Sequence, residues 1–282
     1  AIAGNLSFNP LKDELIGADG KSFRFESPAS APEVPANGFD SGADNYFAPS
    51  QDNAESIFVD PKSERLQVLH PWPVWSMGEF SDMPLLVKVQ GKCTTDHISP
   101  AGPWLRYRGH LDKFSDNMFM GAINAYTDEA GKGLNVLSGE RGHAISRTAR
   151  DYKENGMRWV VVGDYNYGEG SSREHAAMSP RLLGGAAVIA RSFARIHETN
   201  LKKQGMLGLT FVNKSDYDRI LEDDSIDIVG LTSFAVGEPL TVILNHADGS
   251  KDEFKVNHSY NPSQIEWFKA GSALNLIKVA SE

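Results

Sequence analysis

Arg158-Trp-Val-Val-Val-Gly163-Asp-Tyr-Asn-Tyr-Gly168-Glu-Gly170-Ser-Ser-Arg173-Glu-His-Ala-Ala177 is the stretch whose reading decides the fold. Its first part is a nearly all-apolar run, the pattern of a strand buried on both faces. A glycine-bearing loop follows, and the spacing predicts a helix opening at Ser172 and running to Met178. Free backbone N–H groups and the positive dipole end make a helix N-terminus an anion site. Gly168 and Gly170 let the backbone approach a ligand closely. Two hydroxyls, Ser171 and Ser172, and the Arg173 guanidinium complete a receptor for a carboxylate or phosphate, with a serine available as base or nucleophile. A serine cap on an ordinary helix is the competing structural reading.

Three other motif readings fail on spacing. A dinucleotide fingerprint requires glycine at Arg173 and an acid about 20 residues on. A nucleophile elbow requires its serine flanked by single residues between glycines. Gly17-Ala-Asp-Gly-Lys-Ser lacks the leading glycine of a phosphate loop, which would fall at Leu15.

Outward from this stretch, elements alternate. Strands are predicted at Leu85–Val89, Gly185–Ala190 and Leu207–Val212, and a helix over Ala194–Gln204 stopped by Gly205. That alternation implies an α/β domain with parallel pairing. Thr241-Val-Ile-Leu and Glu253-Phe-Lys-Val flank His246-Ala-Asp-Gly, a hairpin signal, and Pro262 to Val279 reads as one amphipathic helix entered through Asn261. Residues 1 to about 65 read unlike the rest, and regular structure is expected to resume at Leu85. A short strand and an Asp19-Gly20 turn are expected near its start. Glu26 to Lys62, with Pro28, Pro32, Pro35, Pro49 and Pro61, reads as an extended surface segment.

The chain has 282 residues, with 28 Lys and Arg against 37 Asp and Glu, a net charge of −9. That balance excludes a broad polyanion-binding surface, so no nucleic acid is expected as a partner. No apolar run reaches the ~20 residues that span a bilayer. The single cysteine, Cys93, rules out an intrachain disulfide and an iron–sulfur cluster held by this chain's thiolates alone. Beside a predicted strand it reads as a small buried hydrophobe. The opening Ala1-Ile-Ala-Gly carries neither an initiator Met nor a signal layout, as expected for a processed product or a piece of a longer chain.

Tyr167-Gly-Glu-Gly-Ser-Ser-Arg-Glu-His-Ala-Ala resembles the swivel-domain signature of the mitochondrial-type aconitases. Lys92-Cys-Thr-Thr-Asp-His-Ile-Ser-Pro-Ala-Gly-Pro-Trp, Arg108-Gly-His, Ser192-Phe-Ala-Arg-Ile-His-Glu-Thr-Asn-Leu-Lys-Lys-Gln-Gly and Gln264-Ile-Glu-Trp-Phe-Lys-Ala-Gly-Ser-Ala-Leu-Asn match the same family in order. The resemblance covers essentially the whole chain. It implies the end of a preceding domain three over 1–40, an extended linker over 41–66, and a swivelling fourth domain over 67–282. The implied fold is a three-layer α/β domain with a mixed, barrel-like sheet.

The family interconverts citrate and isocitrate through cis-aconitate with a [4Fe–4S] cluster as Lewis acid. The resemblance makes Ser171 the catalytic base, and Ser172, Arg173 and Arg108 contacts for the carboxylates of a tricarboxylate substrate. Asp96 then orients an active-site group, or else is a buried carboxylate capping a turn. His175 and His197 read as satisfied packing histidines. The basic spell Arg191, Arg195, Lys202 and Lys203 faces either substrate or solvent. Tyr165, Ser179 and Gly208 stand where the family leads one to expect Glu, Glu and Pro. The cluster's cysteine ligands and the family's catalytic histidines fall outside this chain. Its implied partners are therefore the cluster-bearing N-terminal domains, its implied location is the mitochondrial matrix, and alone it is not expected to be active. Two readings stand beside this one: a small subunit of an isopropylmalate-isomerase-like hydro-lyase, which shares the Gly-Ser-Ser-Arg loop, and a non-catalytic assembly partner.

Overall fold

The computed structural model describes residues 2–39, 42, 46–48, 57–171 and 173–281, the last three by backbone alone. The chain divides into two units, Ala1–Ile57 and Phe58–Glu282.

In the first unit β1 (Leu15–Ile16) and β2 (Ser22–Phe23) pair antiparallel. The Lys21 N–H is held by Asp19 Oδ1 at 3.1 Å, and Gly17 N–H by the Lys21 carbonyl at 2.8 Å. This is the expected Asp19-Gly20 turn, with a second strand added. Residues 26–39 hold no helix or strand.

The second unit is built on a closed barrel. Its strands are β3 (Phe80–Lys88), β6 (Trp159–Gly163), β7 (Gly185–Ala190), β8 (Leu207–Phe211), β9 (Ser225–Val229), β10 (Leu240–Asn245) and β11 (Lys251–Asn257), in the order β10-β11-β8-β7-β6-β3-β9. β3, β6, β7 and β8 are mutually parallel. The remaining pairings are antiparallel, so the sheet is mixed and barrel-like as expected. A second hairpin, β4 (Lys132–Asn135) with β5 (Glu140–Ala144), lies outside it. The helices are α1 (Thr95–Ile98), α2 (Leu111–Phe114), α3 (Ile145–Glu154), α4 (His175–Leu182), α5 (Arg195–Lys203), α6 (Pro262–Ala270) and α7 (Ala273–Ser281).

The apolar run of β6 is explained by two cores. Val160 and Val162 join a cluster with Ala187, Ile189, Leu207 and Leu209. Val161 turns the other way and meets Val188 together with Ala149, Ala177 and Leu201 from α3, α4 and α5. Successive strand residues face opposite sides, so a strand between barrel interior and helix layer needs apolar residues at every position. Each fully buried valine contributes on the order of 1.5–3 kcal/mol.

Several expectations are corrected. Regular structure resumes at Phe80 rather than Leu85. The predicted final helix is two, because Gly271 adopts φ +90° and terminates α6. A Cβ at Gly271 would also press on the Pro73 carbonyl. The helix after Ser171 opens at His175, not Ser172, with Glu174 as its N-cap residue, and among the described residues no side chain caps it. The serine-cap reading of the loop therefore fails. Gly205, by contrast, closes α5 as expected: it adopts φ +68°, and the Met206 N–H bonds the Leu201 carbonyl at 3.1 Å.

Candidate active site

The loop after β6 is fixed by bonds to two neighbouring segments. Gly168 N–H donates to the Cys93 carbonyl at 2.7 Å, and Thr95 N–H donates to the Glu169 carbonyl at 2.8 Å. On the other side, Tyr167 N–H reaches the Ser192 carbonyl and Ala194 N–H the Tyr167 carbonyl, both at 2.9 Å. Lys92 Nζ adds an ion pair to Glu169 Oε2 at 3.0 Å. Gly168 at φ +81° and Gly170 at φ +114° hold the left-handed backbone this path requires.

Ser171 is thereby placed at the rim of a cavity of about 200 Å³ whose walls include Thr95, Gly168, Gly170, Arg195, His197 and Asn200. The cavity lies at the start of α5. Ala194 is its N-cap and provides no side-chain cap, so the first-turn N–H groups of Arg195, Ile196 and His197 have no intrahelical partner. The helix end that presents positive dipole to Ser171 is therefore that of α5, with the Arg195 side chain beside it. Neither was legible in the serine motif, because α5 is brought there by the β6-β7-β8 crossover. The sequence signal available was the basic spell, and the structure divides it. Arg191 is bound to Asp164 at 3.1 Å and Asp218 at 3.0 Å and lies over the Tyr217 ring. Lys202 is buried against Ser259 Oγ at 2.6 Å and Glu198 at 3.2 Å. Lys203 is exposed, and Arg195 alone of the four lines the cavity.

Arg173 follows the loop and donates from Nη1 to Asp96 Oδ1 and to the Ser99 carbonyl at 3.2 Å. That hydrogen bond, reinforced by the cation's charge, holds the Asp96 carboxyl below its usual range. Asp96 is 61% exposed in its side chain. It is not a buried turn cap: Thr94 caps α1 in a capping box with His97. Ser172 lies outside the described residues. Arg108 is exposed and stands apart from Ser171, lining with Arg65 and Arg106 a separate cavity of about 340 Å³. Its main chain is tied to the site, since its carbonyl bonds His175 Nε2 at 2.9 Å at the start of α4.

His175 is thus satisfied, as expected. His197 is not. It is buried, neither ring nitrogen has a partner among the described residues, and burial pulls its pKa down to about 4. It packs as a neutral ring against Tyr167, centroids 5.4 Å apart. Of the three departures, Tyr165 is exposed near Arg191, Ser179 is buried in α4, and Gly208 donates its N–H to Tyr260 Oη at 3.4 Å, which proline could not do.

The chain does not fit an iron–sulfur cluster by itself. Cys93 is buried, desolvation raises its thiol far above the ordinary range, and no cluster of potential metal ligands occurs among the described residues. Among those residues no helix is long and apolar enough to cross a membrane.

Comparison with known proteins adds the rest. The family model described as "Aconitase C-terminal domain" matches residues 83–214. A probable mitochondrial aconitate hydratase of Caenorhabditis elegans is 57% identical over 278 residues, covering 99% of this chain and 35% of that protein. The mitochondrial aconitate hydratases of Gracilaria gracilis and Saccharomyces cerevisiae are 54% and 52% identical, each across 99% of this chain and 36% of their own length. The chain thus spans about a third of the length of the curated relatives it matches. A solved 3-isopropylmalate dehydratase of Methanocaldococcus jannaschii aligns at 21% identity and a TM-score of 0.48, over 72% of this chain and 96% of its own. Residues 83–214 thus match the aconitase C-terminal domain, and nearly the whole chain is similar to the mitochondrial aconitate hydratases.

Proposed function

We propose that this chain is the C-terminal part of a hydro-lyase isomerising a tricarboxylate, citrate to isocitrate through cis-aconitate, in the mitochondrial matrix. The observation that carries this is the convergence of Ser171, Arg195, the open start of α5 and the Asp96–Arg173 pair on one end of the parallel strands, where α/β sheets place ligands. The family relation supplies the reaction; the residues supply the means. Ser171 is the base that takes a proton from the substrate carbon. A serine can do this only as an alkoxide, which nearby amides and guanidinium groups stabilise. Arg173, aimed by Asp96, grips one carboxylate through the free part of its planar fork, and Arg195 with the α5 amides accepts another. Arg108 is assigned to substrate as well, from its separate cavity rather than from that of Ser171.

The thiolates for a [4Fe–4S] cluster lie in the preceding domains of the same polypeptide, and those domains are its partner. The reading as a separate isopropylmalate-isomerase-like subunit is disfavoured by relatives that match through 99% of the chain. In the complete polypeptide, Arg173→Lys should lower turnover at least about tenfold, since lysine cannot serve both Asp96 and substrate. Near-normal turnover would remove Arg173 from the site.

A further inference from the structure

Residues 67–76 run without helix or strand and enclose, against Arg158, Arg181 and Phe268, a cavity of about 440 Å³. Its lining is electrostatically one-sided. Lys153, Arg158 and Arg181 line it and, among the described residues, no aspartate or glutamate does, in a chain with 37 acids and 28 bases.

The two arginines are held differently from the other paired arginines of the domain. Arg150 has both Asp112 and Asp116, Arg191 has Asp164 and Asp218, and Arg219 has Asp216 and Asp252. Arg158 forms no ion pair or hydrogen bond with its side chain among the described residues; its guanidinium rests 4.0 Å from the Phe80 ring centre. Arg181 donates Nη2 to the carbonyls of Pro73 at 3.1 Å and Gly271 at 3.4 Å, and its Nε is buried without a partner among the described residues. Carbonyls hold Arg181 in place but do not neutralise it. Burial pulls both side chains down to about 10, with Arg181 further lowering Arg158. Two cations drawn out of water beside one another call for a counter-ion. The Trp72 and Trp75 side chains give the same cavity apolar walls.

We propose that this cavity is a second ligand site, separate from the Ser171 cavity, that takes a small multivalent phosphoryl anion, bound through the forks of Arg158 and Arg181 with Lys153 at its mouth. Phosphoryl groups suit it because each carries several oxygens for the in-plane donors of two guanidinium groups.

The test is calorimetric titration of inorganic pyrophosphate into the chain and into the complete polypeptide at low salt, with citrate in parallel. Saturable pyrophosphate binding is expected in both, half-saturating below about 1 mM. Arg158→Gln and, separately, Lys153→Gln should each weaken it by about tenfold or more. Lys153 is exposed on α3, so its replacement leaves folding intact and decides the matter if the Arg158 variant fails to fold. Arg173→Gln should leave this binding unchanged, which separates the proposal from the tricarboxylate reading. Absence of saturation, or binding that both Arg158→Gln and Lys153→Gln leave intact, would overturn it. So would binding to the chain that disappears in the complete polypeptide, which would mean that an acidic side chain fills the cavity. Citrate binding that matches pyrophosphate and depends equally on Arg158 and Lys153 would refute the phosphoryl assignment.

Discussion

Gly168 lies directly against the imidazole of His197, so closely that a methyl group on its Cα would overlap the ring. The contact joins the loop that carries Ser171 to the helix that carries Arg195. It also explains why glycine is required twice over at this position, since φ is +81°. Gly168→Ala should therefore destabilise the domain by about 2–4 kcal/mol, combining left-handed strain with overpacking. Denaturant unfolding measures it. Because the overlap is with one side chain, pairing the change with His197→Ala should recover part of the loss relative to additivity. Strict additivity would mean that the ring and the loop are not coupled.

His197 also predicts a pH dependence. Its folded pKa is about 4 against an ordinary 6.5, so the unfolded chain takes up the proton first. The stability due to the neutral buried ring is full above pH 6.5 and declines as pH falls towards about 4. The decline is on the order of 3 kcal/mol. Unfolding free energies measured from pH 7 to 4 should fall more steeply in the parent than in His197→Phe. Parallel curves would contradict the assignment.

Arg191 and Arg195 sit in one stretch and should behave in opposite ways. Arg191→Gln breaks a pair of carboxylate contacts and should cost about 1–3 kcal/mol of stability with little change in KM. Arg195→Gln touches no described ion pair and should leave the unfolding midpoint within about 0.5 kcal/mol while raising KM in the complete polypeptide. Equal KM values for parent and Arg195→Gln would remove that arginine from the substrate.

The Asp96–Arg173 pair should matter more to binding than to folding. Both groups are partly open to solvent, and such pairs contribute about 0–1 kcal/mol. Asp96→Asn should leave stability nearly unchanged and raise KM through a less fixed Arg173. A large loss of stability would make the pair structural instead.

How much of this was legible in the sequence follows from the kind of signal each part leaves. β6 and β7 were plain because strands buried on both faces are apolar throughout. β9, Ser225-Ile-Asp-Ile-Val, was missed because its alternation is short and set among acidic residues. α3 was missed because Ser146, Thr148 and Ala149 separate the only two large residues of its buried face, Ile145 and Tyr152, so the apolar periodicity is weak. The serine motif located the loop but misplaced the helix by three residues, and with it the source of the dipole. Asp96 and Arg173 are 77 residues apart, and only the parallel crossover from β3 to β6 brings them together. The cavity at Arg158 left no sequence pattern at all, because its walls come from segments far apart in the chain, from Gln67 to Phe268, that the fold assembles.

The most direct test of the central claim is the rate at which the complete polypeptide exchanges the abstractable carbon-bound proton of isocitrate with deuterium when Ser171 is replaced by alanine. If Ser171 is the base, exchange and turnover fall together by roughly 10²–10⁴-fold, KM stays close to that of the parent, and the unfolding midpoint does not move. Exchange at the parental rate in Ser171→Ala would contradict the account.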